Sequence, residues 1–285
     1  MATVARLERM WNDLSMRLMS PYLWTRRRPI GGRLEDGTFE TENAGTQRYA
    51  IYLPESYDTS TQRLPVVYHL HGARVSRRGL ALDVNRLGAR LERAVTEGSA
   101  APALIVAPGN PRMDMWADSH DGKTLSATAV LDELIPQIEQ SFRASREPAQ
   151  RFLSGFSMGG FGAAHLAGRA PERFAAVVLW DAAIHTWKTM VATRQVIAEQ
   201  IFGSEEHFDR FSPDLLAKAG GAAPRVMMVV GKLTGFGRRF RSRLETAGVA
   251  ISYTETGCSH NLFCMLEAAG GEVMAFLTGP QADRP

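Results

Sequence analysis

A glycine-rich turn around Ser157 is the feature that most restricts the fold of this chain. The turn, GFSMG at residues 155–159, lies between an apolar run at 151–154 and a helix of small residues from about 159 to 170. A serine between glycines at such a junction is typical of a sharp strand-to-helix turn, because small neighbours relieve the crowding of a strained backbone. The pattern therefore predicts a sheet that presents Ser157 at the carboxyl end of one strand.

Predicted strands and helices alternate on both sides of this turn. Further apolar or alternating runs predict strands at 48–53, 64–70, 103–107, 175–180, 225–230 and 250–255. Helical spacing predicts helices at 126–142 and 238–247. Such alternation favours a mostly parallel central sheet with helices on both faces. The stretch 182–222 has helical spacing without strand signals and is expected to form a small cap excursion over the sheet.

The chain is expected to form one α/β domain, because 285 residues suit a single large domain and no linker divides them. We assign residues 45–278 to this domain, 1–44 to an N-terminal helical extension and loop, and 279–285 to a C-terminal tail. Apolar residues near the start recur at helical steps and predict an amphipathic helix: Val4, Leu7, Trp11, Leu14 and Leu18. Such a helix packs on the domain or on a second subunit, so a homo-oligomer is a candidate assembly. The alternative is that this helix lies on a membrane surface, which the arginines at 26–28 suggest.

Composition limits the expected partners and location. The formal net charge of +3 comes from 33 basic and 30 acidic residues, a balance too even to indicate nucleic-acid or membrane binding. Residues 1–19 lack the apolar core of a signal peptide, and no window approaches the roughly 18 apolar residues of a membrane-spanning helix. The two cysteines, Cys258 and Cys264, form no recognisable disulfide framework and are interpreted as free thiols. A cytoplasmic protein is therefore expected.

The turn at Ser157 predicts nucleophilic catalysis if a base lies within reach. A neutral serine is a weak nucleophile and is usually activated by a histidine. His260 follows the last predicted strand, which puts it at the same edge of the sheet as Ser157 and after it in the chain. The other histidines fit less well: His69, His165 and His207 suit structural roles, and His120 and His185 are candidates for lining the cleft.

A tetrahedral intermediate also requires backbone donors for its oxyanion. One is expected from Met158, which follows the nucleophile, and the second from Ala73, in the turn after the 64–70 strand. His71 and Trp116 are the predicted substrate-binding side chains, together with the excursion, although Trp116 also suits a place in the core.

Five ordered motifs resemble the putative-esterase family of α/β hydrolases, which includes esterase D (S-formylglutathione hydrolase), feruloyl esterases and mycolyltransferases. They are YLP at 52–54, YHLHG at 68–72, WADS at 116–119, ELIP at 133–136 and GFSMGG at 155–160. The resemblance runs from about residue 45 to about residue 275. It implies the α/β-hydrolase fold and transfer of an acyl group from an ester or thioester to water or another acceptor. It also implies that neither a metal nor an organic cofactor takes part.

The chain departs from this family at the triad acid. Such hydrolases usually carry the acid just after the strand that is here 225–230, but residues 231–235 read GKLTG and contain no carboxylate. Asp181, which ends the preceding strand, is our predicted substitute, in an arrangement similar to that of pancreatic-type lipases. Glu255 is a second candidate, and a Ser-His dyad without an acid is a third possibility.

The leading hypothesis is a serine hydrolase that cleaves a small-molecule carboxylic ester or thioester through an acyl-enzyme intermediate. One alternative is an acyltransferase or cyclase acting on a carrier-bound thioester, since the arginines at 74, 77 and 78 could meet the phosphate of an acyl carrier. Another is a non-catalytic binding protein on a hydrolase scaffold, which the missing acid suggests.

Overall fold

The computed structural model describes residues 31–73, 75, 77–110 and 112–279, with the backbone alone at 77 and 78. The predicted N-terminal amphipathic helix and the arginines at 26–28 lie outside these residues. So do Arg74, the side chains at 77 and 78, and most of the predicted C-terminal tail.

Within the described residues, eight strands form one sheet in the order β1-β2-β4-β3-β5-β6-β7-β8. The strands are β1 (Arg33–Thr41), β2 (Gly45–Leu53), β3 (Val66–Leu70), β4 (Leu104–Pro108), β5 (Arg151–Phe156), β6 (Ala176–Trp180), β7 (Arg225–Val230) and β8 (Ile251–Glu255). Strand β2 is antiparallel to β1 and β4, and the other neighbouring pairs are parallel. The predicted mostly parallel sheet is confirmed.

Strand β1 lies in the segment that the sequence analysis assigned to the N-terminal extension and loop. It pairs with β2 along its whole length, as an antiparallel hairpin whose turn ends at Gly45 with a φ of 61°. Phe39 of β1 and Tyr49 of β2 are buried with their rings 6.4 Å apart, so the hairpin contributes to the core. Within the described residues, the sheet therefore includes Arg33–Thr41, in addition to the strands predicted from residue 48 onward.

Helices cover both faces of the sheet. They are α1 (Arg77–Thr96), α2 (residues 126–141, with a π-helical middle at Ala129–Leu134), α3 (Met158–Arg169), α4 (Trp187–Thr193), α5 (residues 195–202), α6 (Glu205–Asp209), α7 (Asp214–Lys218), α8 (Thr234–Thr246) and α9 (Leu262–Thr278). Helices α1 and α9 share one apolar layer with one face of the sheet. Helices α2, α3 and α8 and the excursion share the other. None of the described helices is both long and apolar enough to cross a membrane.

The excursion packs on the outer side of α3. A Cβ atom on Gly168 of α3 would lie 2.2 Å from the backbone nitrogen of Leu216, which shows how closely α3 and α7 approach. Phe202 and Phe208 of the excursion are buried, with ring centroids 6.4 and 6.0 Å from that of Phe161 on α3. The excursion is thus part of the core of the domain.

The sheet topology brings the segments that follow β3, β5, β6, β7 and β8 to one edge of the sheet. Because β3, β5, β6, β7 and β8 are parallel, the residues that follow them emerge at the same end of the sheet. These residues are His71 to Ala73 after β3, Ser157 after β5, Asp181 after β6, Gly231 after β7 and residues 256–261 after β8.

Candidate active site

Close backbone packing fixes the turn that carries Ser157. The serine has a φ of 56° and a ψ of −113°, and helix α3 begins at the next residue. A Cβ atom on Gly155 would lie 2.0 Å from the carbonyl oxygen of Gly159, and one on Gly159 would lie 1.9 Å from that of Leu70. Side chains at these positions would push β5, α3 and β3 apart, so the glycines are needed for the turn. Ser157 makes no side-chain capping bond to α3.

The hydroxyl of Ser157 is directed to the predicted base. Its Oγ donates a hydrogen bond to Nε2 of His260 over 2.8 Å. His260 lies in the loop between β8 and α9, and its side chain is 34% exposed. The other ring nitrogen, Nδ1, donates to Oδ2 of Asp181 over 2.6 Å. The structure thus brings the three predicted catalytic side chains together in one chain of hydrogen bonds.

The structure buries Asp181 completely at the end of β6. Its backbone has a φ of 39°, and its N–H donates to the carbonyl oxygen of Val229 over 2.7 Å. Its Oδ1 accepts from the N–H groups of Gly231 at 3.0 Å and Leu233 at 2.8 Å. Burial raises the pKa of the carboxyl group, but the bonds from His260 and these N–H groups outweigh it and hold the pKa below its ordinary value. Asp181 is therefore ionised at neutral pH.

The alternative acid, Glu255, is engaged elsewhere. Its two carboxylate oxygens accept from Nε and Nη2 of Arg238, each at 2.7 Å, and one of them also accepts from the hydroxyl of Tyr253. These bonds lower the pKa of Glu255 to about 2. The carboxylate at His260 Nδ1 in the described part of the chain is that of Asp181.

Packing explains why the first position after β7 carries no acid. A Cβ atom on Gly231 would lie 2.7 Å from the carbonyl oxygen of Cys258 and 3.1 Å from that of Ser259. The backbone of the histidine-bearing loop therefore occupies the space that a side chain at 231 would need.

The predicted oxyanion turn lies beside the nucleophile. A Cβ atom on Gly72 would be 3.4 Å from Cβ of Ser157, and Ala73 follows Gly72 in this turn. Met158 is the first residue of α3, where backbone N–H groups have no partner within the helix. The donor roles of Ala73 and Met158 stay predictions.

His71 and Trp116, predicted to bind substrate, are both buried and hold the oxyanion turn. Nδ1 of His71 donates to the carbonyl oxygen of Gly72 at 2.6 Å, and Nε2 accepts from the N–H of Asn110 at 2.9 Å. Burial lowers the pKa of His71, although the bond to Gly72 opposes this, so the ring is neutral. Nε1 of Trp116 donates to the carbonyl oxygen of His71 at 3.2 Å. Their polar atoms are thus bound to protein, and contact with substrate stays a prediction.

The polar side chains that hold the oxyanion turn and the neighbouring loop after β4 in place were not identified from the sequence. Asn110 Nδ2 and the backbone N–H of Trp116 donate to Oδ1 of Asp114, at 2.8 and 2.9 Å. The hydroxyl of Ser126 donates to Oδ2 of Asp114 at 2.6 Å. Asp114 thereby stabilises Met115 and Trp116, which both have a φ of 59°. The sequence feature that could have pointed to this network is PGN at residues 108–110, which ends a buried strand and begins the loop.

The free-thiol interpretation of the cysteines was wrong, because Cys258 and Cys264 form a disulfide with Cα atoms 5.8 Å apart. The loop after β8 turns back at Asn261, whose side chain caps α9 by accepting the N–H of Cys264 at 3.1 Å. That turn brings the start of α9 next to Cys258. The expectation of a cytoplasmic protein thereby loses the support that free thiols gave it.

A cavity of about 770 Å³ opens between the loop after β4 and the excursion. Its lining combines apolar and basic side chains, among them Arg112, Met113, Lys123, Arg194 and Ile201. Ser157 and His260 are not among its lining residues.

His185 of the excursion is buried against the ring of Phe236, and burial, together with the charge of Arg194, lowers its pKa to about 4. Among the residues that the structure describes, no three potential metal-ligating side chains cluster.

Comparison with known protein families identifies the chain. A model of the family described as putative esterase matches residues 43–252. The chain belongs to the putative esterase family. The resemblance noted from its motifs is thereby confirmed.

Curated relatives of this chain match it over part of their length. Esterase Rv1288 of Mycobacterium tuberculosis (strain ATCC 25618 / H37Rv) is 33% identical over 128 residues, which are 44% of this chain and 26% of that protein. An endo-1,4-beta-xylanase/feruloyl esterase of Xylanibacter ruminicola is 27% identical over 150 residues, or 50% of this chain and 20% of that protein. The match thus spans about a quarter or less of these relatives.

Solved structures share the fold over most of the chain. An S-formylglutathione hydrolase from Agrobacterium tumefaciens superposes with a TM-score of 0.73 at 17% identity, over 89% of this chain and 98% of its own. A ferulic acid esterase gives a TM-score of 0.69 at 20% identity, over 87% and 98%. Mycobacterium tuberculosis MPT51 gives 0.66 at 13% identity, over 86% and 99%. The predicted α/β-hydrolase fold is confirmed.

Proposed function

We propose that this protein is a serine esterase that cleaves a carboxylic ester or thioester through an acyl-enzyme intermediate on Ser157. The observation that carries the proposal is the continuous set of hydrogen bonds from Ser157 through His260 to a buried, ionised Asp181, at 2.8 and 2.6 Å. A serine, a histidine and an acid in this order of contact have the geometry of the acyl-transfer triad.

The proposed reaction begins when Oγ of Ser157 attacks the carbonyl carbon and Nε2 of His260 takes the hydroxyl proton. The N–H groups of Met158 and Ala73 stabilise the negative oxygen of the tetrahedral intermediate. The intermediate collapses, and His260 returns the proton to the departing alcohol or thiol. Asp181 fixes the tautomer with the proton on Nδ1 and stabilises the imidazolium in both half-reactions.

Water is the proposed acceptor of the acyl group. The side chain of His260 is 34% exposed, so a water molecule can reach Nε2 once the first product has left. His260 then removes a proton from this water as the water oxygen attacks the acyl-enzyme, and it returns that proton to Oγ of Ser157 as the bond to the acyl group breaks and the acid leaves. Transfer to another nucleophile would appear as an acylated acceptor in place of the free acid.

The test combines a fluorophosphonate probe with a p-nitrophenyl ester assay. We expect the intact mass of the wild type to increase by one probe adduct, and Ser157→Ala to remain unlabelled. His260→Ala should fold normally and lose about 10³-fold or more in kcat. Equal labelling of wild type and Ser157→Ala would refute the nucleophile. An unlabelled, inactive wild type would favour a non-catalytic binding protein.

A further inference from the structure

The loop that carries His260 has little hydrogen bonding of its own. At its start, the N–H of Thr256 donates to the carbonyl oxygen of Val230 at 2.7 Å. At its end, Asn261 caps α9. Within the described part of the chain, the backbone N–H groups of Gly257, Ser259 and His260 make no hydrogen bond to the sheet. Within the loop, the N–H of Cys258 donates to Oγ1 of Thr256 at 3.4 Å and that of Asn261 to the carbonyl oxygen of Ser259 at 2.7 Å, but these local bonds do not connect the centre of the loop to the sheet.

The disulfide supplies a restraint across this centre. Cys258 lies two residues before His260 and Cys264 four residues after it, on the first turn of α9. Helix α9 is anchored in the core by buried side chains, Met265 and Leu266 among them. Closing so short a ring covalently removes most of the backbone conformations open to the residues inside it. The bond thus ties His260 to a rigid helix.

His260 has to satisfy two partners at once. Its ring bonds Ser157 on one side and Asp181 on the other, at 2.8 and 2.6 Å, and one face stacks on Phe156 with centroids 4.8 Å apart. A displacement of about 1 Å in a catalytic group can cost on the order of 10²-fold in rate. A loop free to move by that amount would break one of the two bonds.

We infer that the Cys258–Cys264 disulfide positions His260 between Ser157 and Asp181, so that its reduction lowers turnover and leaves substrate binding intact. The inference rests on the proposed function, with Cys258 and Cys264 as positioning residues that do not touch substrate. Reduction by a dithiol such as dithiothreitol transfers two electrons and two protons. The S–S bond breaks to give two cysteine thiols, and the dithiol becomes a cyclic disulfide. Cys264 is exposed, which gives the reductant access.

The composition of the chain makes this experiment selective. Since the sequence contains only two cysteines, this pair is the only thiol or disulfide on which the reductant can act. Steady-state kinetics on a p-nitrophenyl ester would be measured before reduction, after reduction confirmed by a thiol count, and after reoxidation with oxidised glutathione. We expect kcat to fall by about tenfold or more, KM to stay within about twofold, and reoxidation to restore kcat. Near-UV circular dichroism at the assay temperature would confirm that the reduced protein remains folded.

The matched control is the double variant Cys258→Ser with Cys264→Ser. It should have the low kcat of the reduced wild type and should not respond to the reductant. An unchanged kcat in fully reduced, folded wild type would overturn the inference. A rise in KM alone would do so too, because it would mean that the disulfide shapes the substrate pocket. Loss of activity that follows loss of the circular dichroism signal would also overturn it, in favour of a purely structural role.

A second readout does not depend on turnover. The proton on Nδ1 of His260 that is bonded to Asp181 should give a downfield NMR resonance in the oxidised protein, absent from Asp181→Asn. We expect reduction to broaden or remove this resonance, and its persistence would contradict the inference. If the oxidised protein shows the resonance but neither turnover nor probe labelling, the proposed function fails while the positioning of His260 is still decided by this spectrum.

Discussion

The nucleophile turn (residues 155–160) and the histidine loop (residues 256–261) meet at one hydrogen bond but are built differently. In the nucleophile turn, a Cβ atom on Gly159 would lie 1.9 Å from a carbonyl oxygen of β3. In the histidine loop, a Cβ atom on Gly257 would meet nothing within 4 Å. Close backbone packing holds the first in place, whereas the second combines a close approach to Gly231 with a disulfide and a few polar contacts. Substitutions in the turn should therefore damage the fold, and changes around the loop should damage the chemistry.

Substitution at Asp181 should have the largest effect, because this residue orients the ring of His260, through which the two regions meet. In Asp181→Asn the amide can still accept the N–H groups of Gly231 and Leu233, but it no longer favours the proton on Nδ1 of His260. We expect kcat to fall on the order of 10⁴-fold, which corresponds to about 5.5 kcal/mol of transition-state stabilisation. Stability should change far less, as urea unfolding would show.

A carboxylate elsewhere at the same edge provides the control for Asp181→Asn. Glu255 lies in an exposed pair with Arg238, and such pairs contribute little. Glu255→Gln should retain kcat within about twofold. Full activity in Asp181→Asn, or a larger loss in Glu255→Gln, would mean that the acid has been assigned to the wrong residue.

Substitution at Gly159 tests the steric side of the comparison. In Gly159→Ala the new methyl group would overlap the backbone of Leu70, and backbone atoms cannot move aside as a flexible side chain can. We expect the free energy of unfolding to fall by about 3 kcal/mol, with labelling of Ser157 by the fluorophosphonate probe reduced as well.

The same substitution in the histidine loop is the matched control. In Gly257→Ala the methyl group points into open space, and the added side chain restricts the unfolded chain. Its free energy of unfolding should be unchanged or higher by about 0.5 kcal/mol. If the two variants are equally destabilised in urea, the contrast between the turn and the loop is wrong.

Substitution at Phe156 should have the smallest effect and concerns the contact between the two regions. Its ring stacks on that of His260 at an interplanar angle of 29°, so it faces the positive charge that His260 acquires during proton transfer. Phe156→Leu keeps most of the bulk and loses the aromatic face. We expect the activation free energy to rise by about 0.5–1 kcal/mol, which lowers kcat roughly two- to fivefold.

The measurement for Phe156→Leu is kcat and KM on the same ester. KM should be unchanged, because the ring is argued to act on His260. A loss near 10²-fold, accompanied by lower stability, would show that Phe156 instead supports the nucleophile turn by its position beside Gly72, where a Cβ atom would lie 3.0 Å from the ring.

The parts of the site that could be predicted from the sequence are those that sterics and sheet topology encode. The glycines around Ser157 are a steric requirement and are visible as a motif. The alternation of strands with helices favours parallel strands, and parallel strands bring Asp181 and His260 to the edge that carries Ser157. The pairing of Asp181 with His260 could be inferred because a carboxylate was missing after one strand and present after its neighbour.

The parts that could not be predicted depend on how loops fold back. The disulfide requires Asn261 to cap α9 and return the chain toward Cys258, which no periodicity encodes. The network around Asp114 requires two successive residues with positive φ that are not glycine. Helix α1 was a different case: Leu80, Val84, Leu87 and Leu91 recur at helical steps, so its signal was available and was not used.

The position of Asp181 directly after β6 changes how a search for active relatives should be designed. A motif scan that demands a carboxylate directly after β7 would sort this chain with inactive hydrolases, although the residues after β7 still assist through their backbone. Gly231 and Leu233 contribute only N–H groups to Asp181, so the side chains at 232 and 233 are not tied to catalysis by these bonds. Related sequences with this arrangement should show an aspartate after β6, a glycine directly after β7 and free variation of the next two side chains, and that set of features could serve as a signature.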